Sequence, residues 1–92
     1  MITIHKYPLD LNLGNQIIKI PEEAEILDIQ IQDGKPVLWA VVYDSNPLEE
    51  IEIVAFPTGV TFMNPCHYYE YISTVQFGGL VIHYFEHKNV KK

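Results

Sequence analysis

The dipeptide Asp33-Gly34, set between two runs of alternating apolar and polar residues, constrains this chain more than any other feature. The stretch from Ile26 to Tyr43 reads ILDIQIQDGKPVLWAVVY. A two-residue hairpin of type I′ needs positive φ at both central positions, and Asp-Gly tolerates this. Such a turn pairs Gln32 with Lys35, Gln30 with Val37 and Asp28 with Trp39. Side chains alternate along a strand, so Leu27, Ile29, Ile31, Leu38, Ala40 and Val42 share one face, predicted to be core. Trp39, the only tryptophan, falls on the other face among Asp28, Gln30, Val41 and Tyr43. There it anchors an interface or ligand pocket, or another layer of the fold covers it. A slip of one residue at Pro36 would return it to the core.

A second hairpin of the same kind is predicted at Gly78-Gly79, pairing Gln76 with Val81 and Thr74 with His83. One face collects Ser73, Val75, Phe77, Leu80, Ile82 and Tyr84; the other collects Ile72, Thr74, Gln76, Val81, His83 and Phe85. Short β-branched and aromatic runs recur throughout, cut by Gly, Pro, Asn and Asp. They predict strands at Ile2–Tyr7, Asn15–Ile20, Glu25–Gln32, Val37–Tyr43, Glu50–Phe56, Tyr69–Phe77 and Leu80–Glu86. Pro36 cannot donate to a ladder, so an edge or a bulge is expected beside it. Residues Asn46–Glu52 could hold one helical turn, and no stretch has the period of a long helix. The fold class predicted is all-β, a small antiparallel sheet or sandwich of six to seven strands built from hairpins. Residues 1–87 form one domain, followed by a short basic tail, 88–92.

The charges exclude some partners. Twelve acidic residues face six lysines and no arginine. Duplex DNA readers draw much of their affinity from phosphate neutralisation by a basic face, so direct nucleic-acid binding is not expected. Nine of the twelve acids lie between Glu22 and Glu52. They form a solvated face, or a surface aimed at a basic protein, with Glu22, Glu23, Glu49 and Glu50 as its partner-facing residues. No apolar run reaches about 18 residues, which argues against a membrane span. The N-terminus lacks the plan of a signal peptide, and a lone cysteine, Cys66, fits a reducing cytoplasm.

Few constellations could carry chemistry. His83 opposite Thr74, with Gln76 beside them, could hydrogen-bond a base, ribose or other polar ligand, or could simply satisfy one another. The loop Phe56-Pro57-Thr58-Gly59-Val60 needs positive φ at Gly59 and could offer N–H groups to an anion, or be a plain connection. His83 and His87 sit about 13 Å apart along a strand, and Cys66-His67 diverge when extended. Zinc needs three or four convergent ligands, so no metal is expected, nor any cofactor. No nucleophile elbow or low-pKa thiolate is marked, so the chain is not read as an enzyme. Tyr68, Tyr69, Tyr71, Trp39 and Tyr43 exceed the needs of a small core and suggest a homo-oligomer with pockets between subunits.

The residues also support a resemblance. Lys6-Tyr7-Pro8-Leu9, the run IKIPEEAEIL from Ile18 to Leu27, QIQDGKPVLWA from Gln30 to Ala40 and STVQFGGLVIHYFE from Ser73 to Glu86 follow one pattern in order and spacing. That pattern resembles a family of small bacteriophage proteins, with K-Y-P-L, I-x-x-P-x-x-A-x-I-L, Q-x-Q-x-G-x-P-x-L-W-A, G-T-G-H and G-T-x-Q-x-x-G-x-L-V-x-H-x-F-E. The departure is Pro57-Thr58-Gly59-Val60, which stands where G-T-G-H is expected. The resemblance implies a phage protein acting in the host cytoplasm against host defence. One route is a non-catalytic homo-oligomer that sequesters a nucleotide-derived immune signal around Trp39, Tyr43, Gln30, Thr74, Gln76, His83, Thr58 and Gly59. Lacking arginine, it would rely on Lys6, Lys35 or backbone N–H groups for phosphate. A second route is direct inhibition of a host defence protein through the acidic surface; a third is a virion accessory.

Overall fold

Every predicted run forms a strand. The computed structural model describes residues 1–61 and 68–88. Its strands are β1 (Ile2–Pro8), β2 (Gly14–Pro21), β3 (Glu25–Gln32), β4 (Lys35–Tyr43), β5 (Leu48–Pro57), β6 (Tyr69–Phe77) and β7 (Leu80–His87). They make two antiparallel sheets, ordered β1-β4-β3 and β2-β5-β7-β6. The helical turn considered near Asn46 is instead a tight turn, closed by Asn46 N–H to the Tyr43 carbonyl, with β5 starting at Leu48. Among the described residues no helix is long and apolar enough to cross a membrane.

The first hairpin forms in the register that its turn requires. Asp33 and Gly34 have φ of 53° and 79°, and Gln32–Lys35, Gln30–Val37 and Asp28–Trp39 are paired. In a two-residue hairpin the Gln32–Lys35 pair is hydrogen-bonded, so Ile31–Pro36 is not. The missing N–H of Pro36 therefore falls on the β1 side, one residue past the last β1–β4 pair, Pro8–Val37. There its carbonyl still accepts from Leu9 N–H. This is why proline is tolerated in a central strand without the expected bulge.

The bulge lies elsewhere. Ile26 pairs with Ala40 and Asp28 with Trp39, leaving Leu27 unpaired. A bulge breaks strict alternation; Leu27 is therefore exposed, not core, and Ile26 packs inward in its place. A matching irregularity falls between Tyr71 and Ser73, and Ile72 packs against the core instead of joining Thr74 and Gln76 on the outer face. The second hairpin keeps its predicted pairs Thr74–His83 and Gln76–Val81. Its turn, however, has positive φ at Gly78 alone, the pattern of type II′, not I′. Leu80, placed with the core residues by alternation, is exposed beside this turn.

Both sheets contribute to one core. Ile29, Leu38, Ala40 and Val42 come from the three-stranded sheet, and Ile20, Ile53, Ala55, Val75, Ile82 and Tyr84 from the other. Leu9 enters from the β1–β2 connection. The two sheets join along one side, where β3 lies against β6 and buried Ser73 donates Oγ–H to the Ile29 carbonyl at 2.8 Å. That bond satisfies a polar side chain in the interior while locking the two layers in register. Ser73→Ala should therefore cost about 1–2 kcal/mol in urea unfolding; an unchanged midpoint would show that the seam does not depend on it.

Candidate functional site

The outer face of the four-stranded sheet carries a chain of hydrogen bonds. β7 places His83 between two threonines. Its Nδ1 lies 3.0 Å from Thr74 Oγ1, on the paired position of β6. Its Nε2 lies 2.7 Å from Thr58 Oγ1, just beyond the end of β5. Tyr71 OH meets Thr74 Oγ1 at 2.9 Å. A hydroxyl can donate or accept, and a neutral imidazole does one at each nitrogen. The four groups can therefore all point toward Tyr71 or all toward Thr58. In the first case Thr58 Oγ1 keeps acceptor capacity for a ligand; in the second its O–H is free to donate.

Aromatic rings stand beside this chain. Phe85 lies 5.9 Å from Phe56 and 5.7 Å from Tyr71, ring centre to ring centre. Tyr69 packs edge-on against Phe56 at 5.6 Å. Under them Val54 is only 2% exposed although it points away from the central core, so this face has a small apolar layer of its own. A cleft of about 240 Å³ opens here, lined by Phe56, Pro57, Thr58, Gly59, Val60, His83 and Phe85. Gly59 has φ of 94°, as the loop required. The loop's Thr58 and Val60 N–H groups bond to the carbonyls of Val81 and Pro57, so those two are not offered to an anion.

Further along the same face, Glu52 accepts from His87 Nδ1 at 2.8 Å and from the Asn15 side-chain amide. The His87 ring lies 4.9 Å from that of Tyr69. These hydrogen bonds, that from His87 first, hold the Glu52 carboxyl below its usual range. Sequence reasoning missed this pair, because the β5–β7 register that sets Glu52 opposite His87 is fixed by no turn. It missed Phe56 as a neighbour of His83 for the same reason, and Tyr71 because the bulge at Ile72 sets it opposite Phe85; strand alternation did place Phe85 beside His83, and the Gly78-Gly79 register did bring Thr74 to it.

The remaining predicted residues are not gathered here. Trp39, Gln30 and Tyr43 lie on the outer face of the other sheet, so the predicted set divides between opposite faces of the sandwich. Trp39 is half-buried between its register partners Lys6 and Asp28. Gln76 is exposed on the His83 face, two residues along β6 from Thr74. Glu22, Glu23, Glu49 and Glu50 are exposed at one end of the β2–β5 ladder, where Glu22 N–H meets the Pro47 carbonyl and Pro21 pairs with Leu48, but Glu49 and Glu50 follow one another on β5 and so face opposite ways, with Lys19 opposite Glu50. Among the described residues no three His, Cys, Asp or Glu side chains could share a metal ion; Cys66 and His67 lie outside those residues. Lys88, read with the basic tail, is tied to the sheet by its N–H to the Tyr68 carbonyl and by ion pairs with Glu70 and Glu86. A larger hollow of about 440 Å³ opens at the two bulges, between Leu27 and Tyr71, and Lys88 with Glu70 and Glu86 occupies its rim.

The Glu52 pair has a definite pH sign. A carboxyl with a lowered folded-state pKa stabilises the fold above its unfolded value, and that contribution disappears as pH falls through the folded value. Between about pH 6 and about pH 3 the urea midpoint of the unaltered chain should fall further than that of Glu52→Gln. Parallel curves would show that the Glu52–His87 contact contributes nothing.

Comparison with curated proteins and with solved structures gives no match. A family model, described as Domain of unknown function (DUF7352), matches residues 1–92, a span that includes both hairpins, the His83 chain and the acidic end. The chain belongs to that family.

Proposed function

We propose that this protein is a non-catalytic binding protein, encoded by a bacteriophage and acting in the host cytoplasm against host defence, that sequesters a nucleotide-derived signal as a homo-oligomer. The observation that carries the reading is the Thr58–His83–Thr74 chain at the wall of an aromatic cleft. Rings offer a stacking surface to a base, and the threonine hydroxyl offers a hydrogen bond whose direction can adapt to the base edge. Both nitrogens of His83 are engaged by threonines, an arrangement suited to holding a polar group rather than to taking a proton from one. With no arginine and a net charge of −6, the ligand is held through base and sugar more than through phosphate. The cleft is small for a whole signalling nucleotide, so a second subunit supplies further contacts. The phage and defence assignments rest on the motif resemblance.

Calorimetry against a panel of cyclic nucleotides and cyclic ADP-ribose isomers tests this. At least one member should bind saturably, and His83→Ala should weaken it by about tenfold or more, the value of one to two good hydrogen bonds. Flat heats across the panel would sink the proposal.

A second reading, direct inhibition of a host defence protein, is favoured by the exposure of Glu22, Glu23, Glu49 and Glu50 at one end of the β2–β5 ladder. Such a surface steers association with a basic partner. Capture from infected-host lysate should then weaken with added salt and with Glu49→Gln/Glu50→Gln; capture indifferent to both would exclude this surface.

A further inference from the structure

We infer, resting on the nucleotide reading above, that Asn15, Glu52 and His87 form a subsite for the vicinal hydroxyls of a ribose on the outer face of the four-stranded sheet. One row of side chains crosses all four strands there. Ile17 on β2 pairs with Glu52 on β5, Glu52 with His87 on β7, and His87 with Tyr69 on β6. Asn15, two residues from Ile17 along β2, donates its side-chain amide to Glu52 Oε2.

The row fixes one imidazole tautomer. The Glu52 carboxyl is held low, first by its bond with His87 and then by Asn15, so it is ionised at neutral pH and can only accept. Its Oε1 lies 2.8 Å from His87 Nδ1, which places the proton of the neutral ring on Nδ1 and leaves Nε2 a bare acceptor. The rings of Tyr69 and Tyr68, 4.9 Å and 6.4 Å away, hold the imidazole in place. Among the described residues no group hydrogen-bonds to Nε2. His83 is the contrast, since threonines meet both of its nitrogens.

The surroundings of that nitrogen select the ligand group. The His87 side chain is 18% exposed and lines, with Glu52 and Ile17, a hollow of about 340 Å³. Each Glu52 oxygen accepts one bond from the protein and keeps a further lone pair. Lys88, which also lines the hollow, is paired with Glu70 and Glu86. Acceptors therefore prevail here. A phosphate only accepts and is repelled, whereas two adjacent ribose hydroxyls can each donate, one to Nε2 and one to Glu52. Ile17, 56% exposed beside Glu52, gives the sugar C–H groups an apolar surface. Phe85 stands between His83 and His87 on the same face of β7, so a base at the Thr58 end and a ribose at the Glu52 end can belong to one ligand.

Nitrogen magnetic resonance of the imidazoles in the full chain tests this at about pH 8, above the ordinary imidazole range. In the chain alone His87 should show a protonated Nδ1 and a bare Nε2; the opposite tautomer would overturn the inference. On titration with methyl β-D-ribofuranoside, which carries neither base nor phosphate, His87 Nε2 should shift saturably while the exposed His5 ring on β1 stays still. The 2-deoxy sugar should bind about tenfold more weakly, having lost one hydrogen bond. In Glu52→Gln the carboxamide can donate to Nδ1 as well as accept from it, so the tautomer preference and about tenfold of the sugar affinity should be lost together. His5→Ala should change neither, and His87→Ala should abolish sugar binding. Should His87→Ala fail to fold, the tautomer and the titration of the unaltered chain decide. A His87 ring silent to the ribofuranoside, or one that responds equally to the 2-deoxy sugar or to ethylamine, would refute a ribose subsite. The sugar probe has no base, so a flat nucleotide panel and a silent His87 remain distinct outcomes.

Discussion

Positive φ at Asp33 and Gly34 is the constraint on which the rest of the molecule depends. It forces the hydrogen-bonded pair Gln32–Lys35, and from that one pair the face of every residue in β4 follows. Leu38, Ala40 and Val42 then point into the core, where they are fully buried. β4 is also the centre of its sheet, so its register passes to β1 on the other side. A slip of one residue would expose three core side chains and bury Trp39 and Tyr43 in their place.

Because the central core takes one face of each sheet, two outer faces remain, and the chain uses them differently. The outer face of the four-stranded sheet has its own apolar layer over Val54, rimmed by groups that hydrogen-bond: Thr58, His83, Thr74, Tyr71, Glu52 and His87. On the three-stranded sheet, apolar residues reach solvent at the β1 side while Asp28 and Gln30 hydrogen-bond to one another on β3. One face thus gathers hydrogen-bonding groups around an apolar layer, and the other leaves apolar side chains such as Ile2 and Ile4 exposed. The acidic end near Glu22 and Glu49 lies beside the β4–β5 turn, where the Asn46 side chain donates to the Glu22 carbonyl and Asp44 N–H to the Met1 carbonyl.

The bulges show what strict alternation leaves out. At Leu27 and at Ile72 one residue is unmatched, and in both cases a hydrophobic side chain ends on the face opposite to its assignment. Both bulges lie on strands that meet at the seam, β3 and β6. A bulge increases local twist and bends a strand, which is how two flat sheets approach closely enough for Ser73 to reach the Ile29 carbonyl. Nothing in ILDIQ or YISTV distinguishes a bulged run from a regular one, because the need arises from the neighbouring sheet.

The strands, both hairpin registers, the polar partnership of Thr74 with His83 and the outward placement of Trp39 were determined by the sequence itself. Each of these follows from local chemistry: alternation, proline at the ends of runs, and glycine or aspartate where φ must be positive. Which strands meet across long connections was decided only by tertiary structure. The β5–β7 pairing brought Phe56 and Thr58 to His83 and set Glu52 opposite His87. The assignment of β4 and β7 to different sheets separated Trp39 from His83. Those contacts depend on how two apolar faces bury one another, a global balance of area and shape that no short stretch of residues encodes.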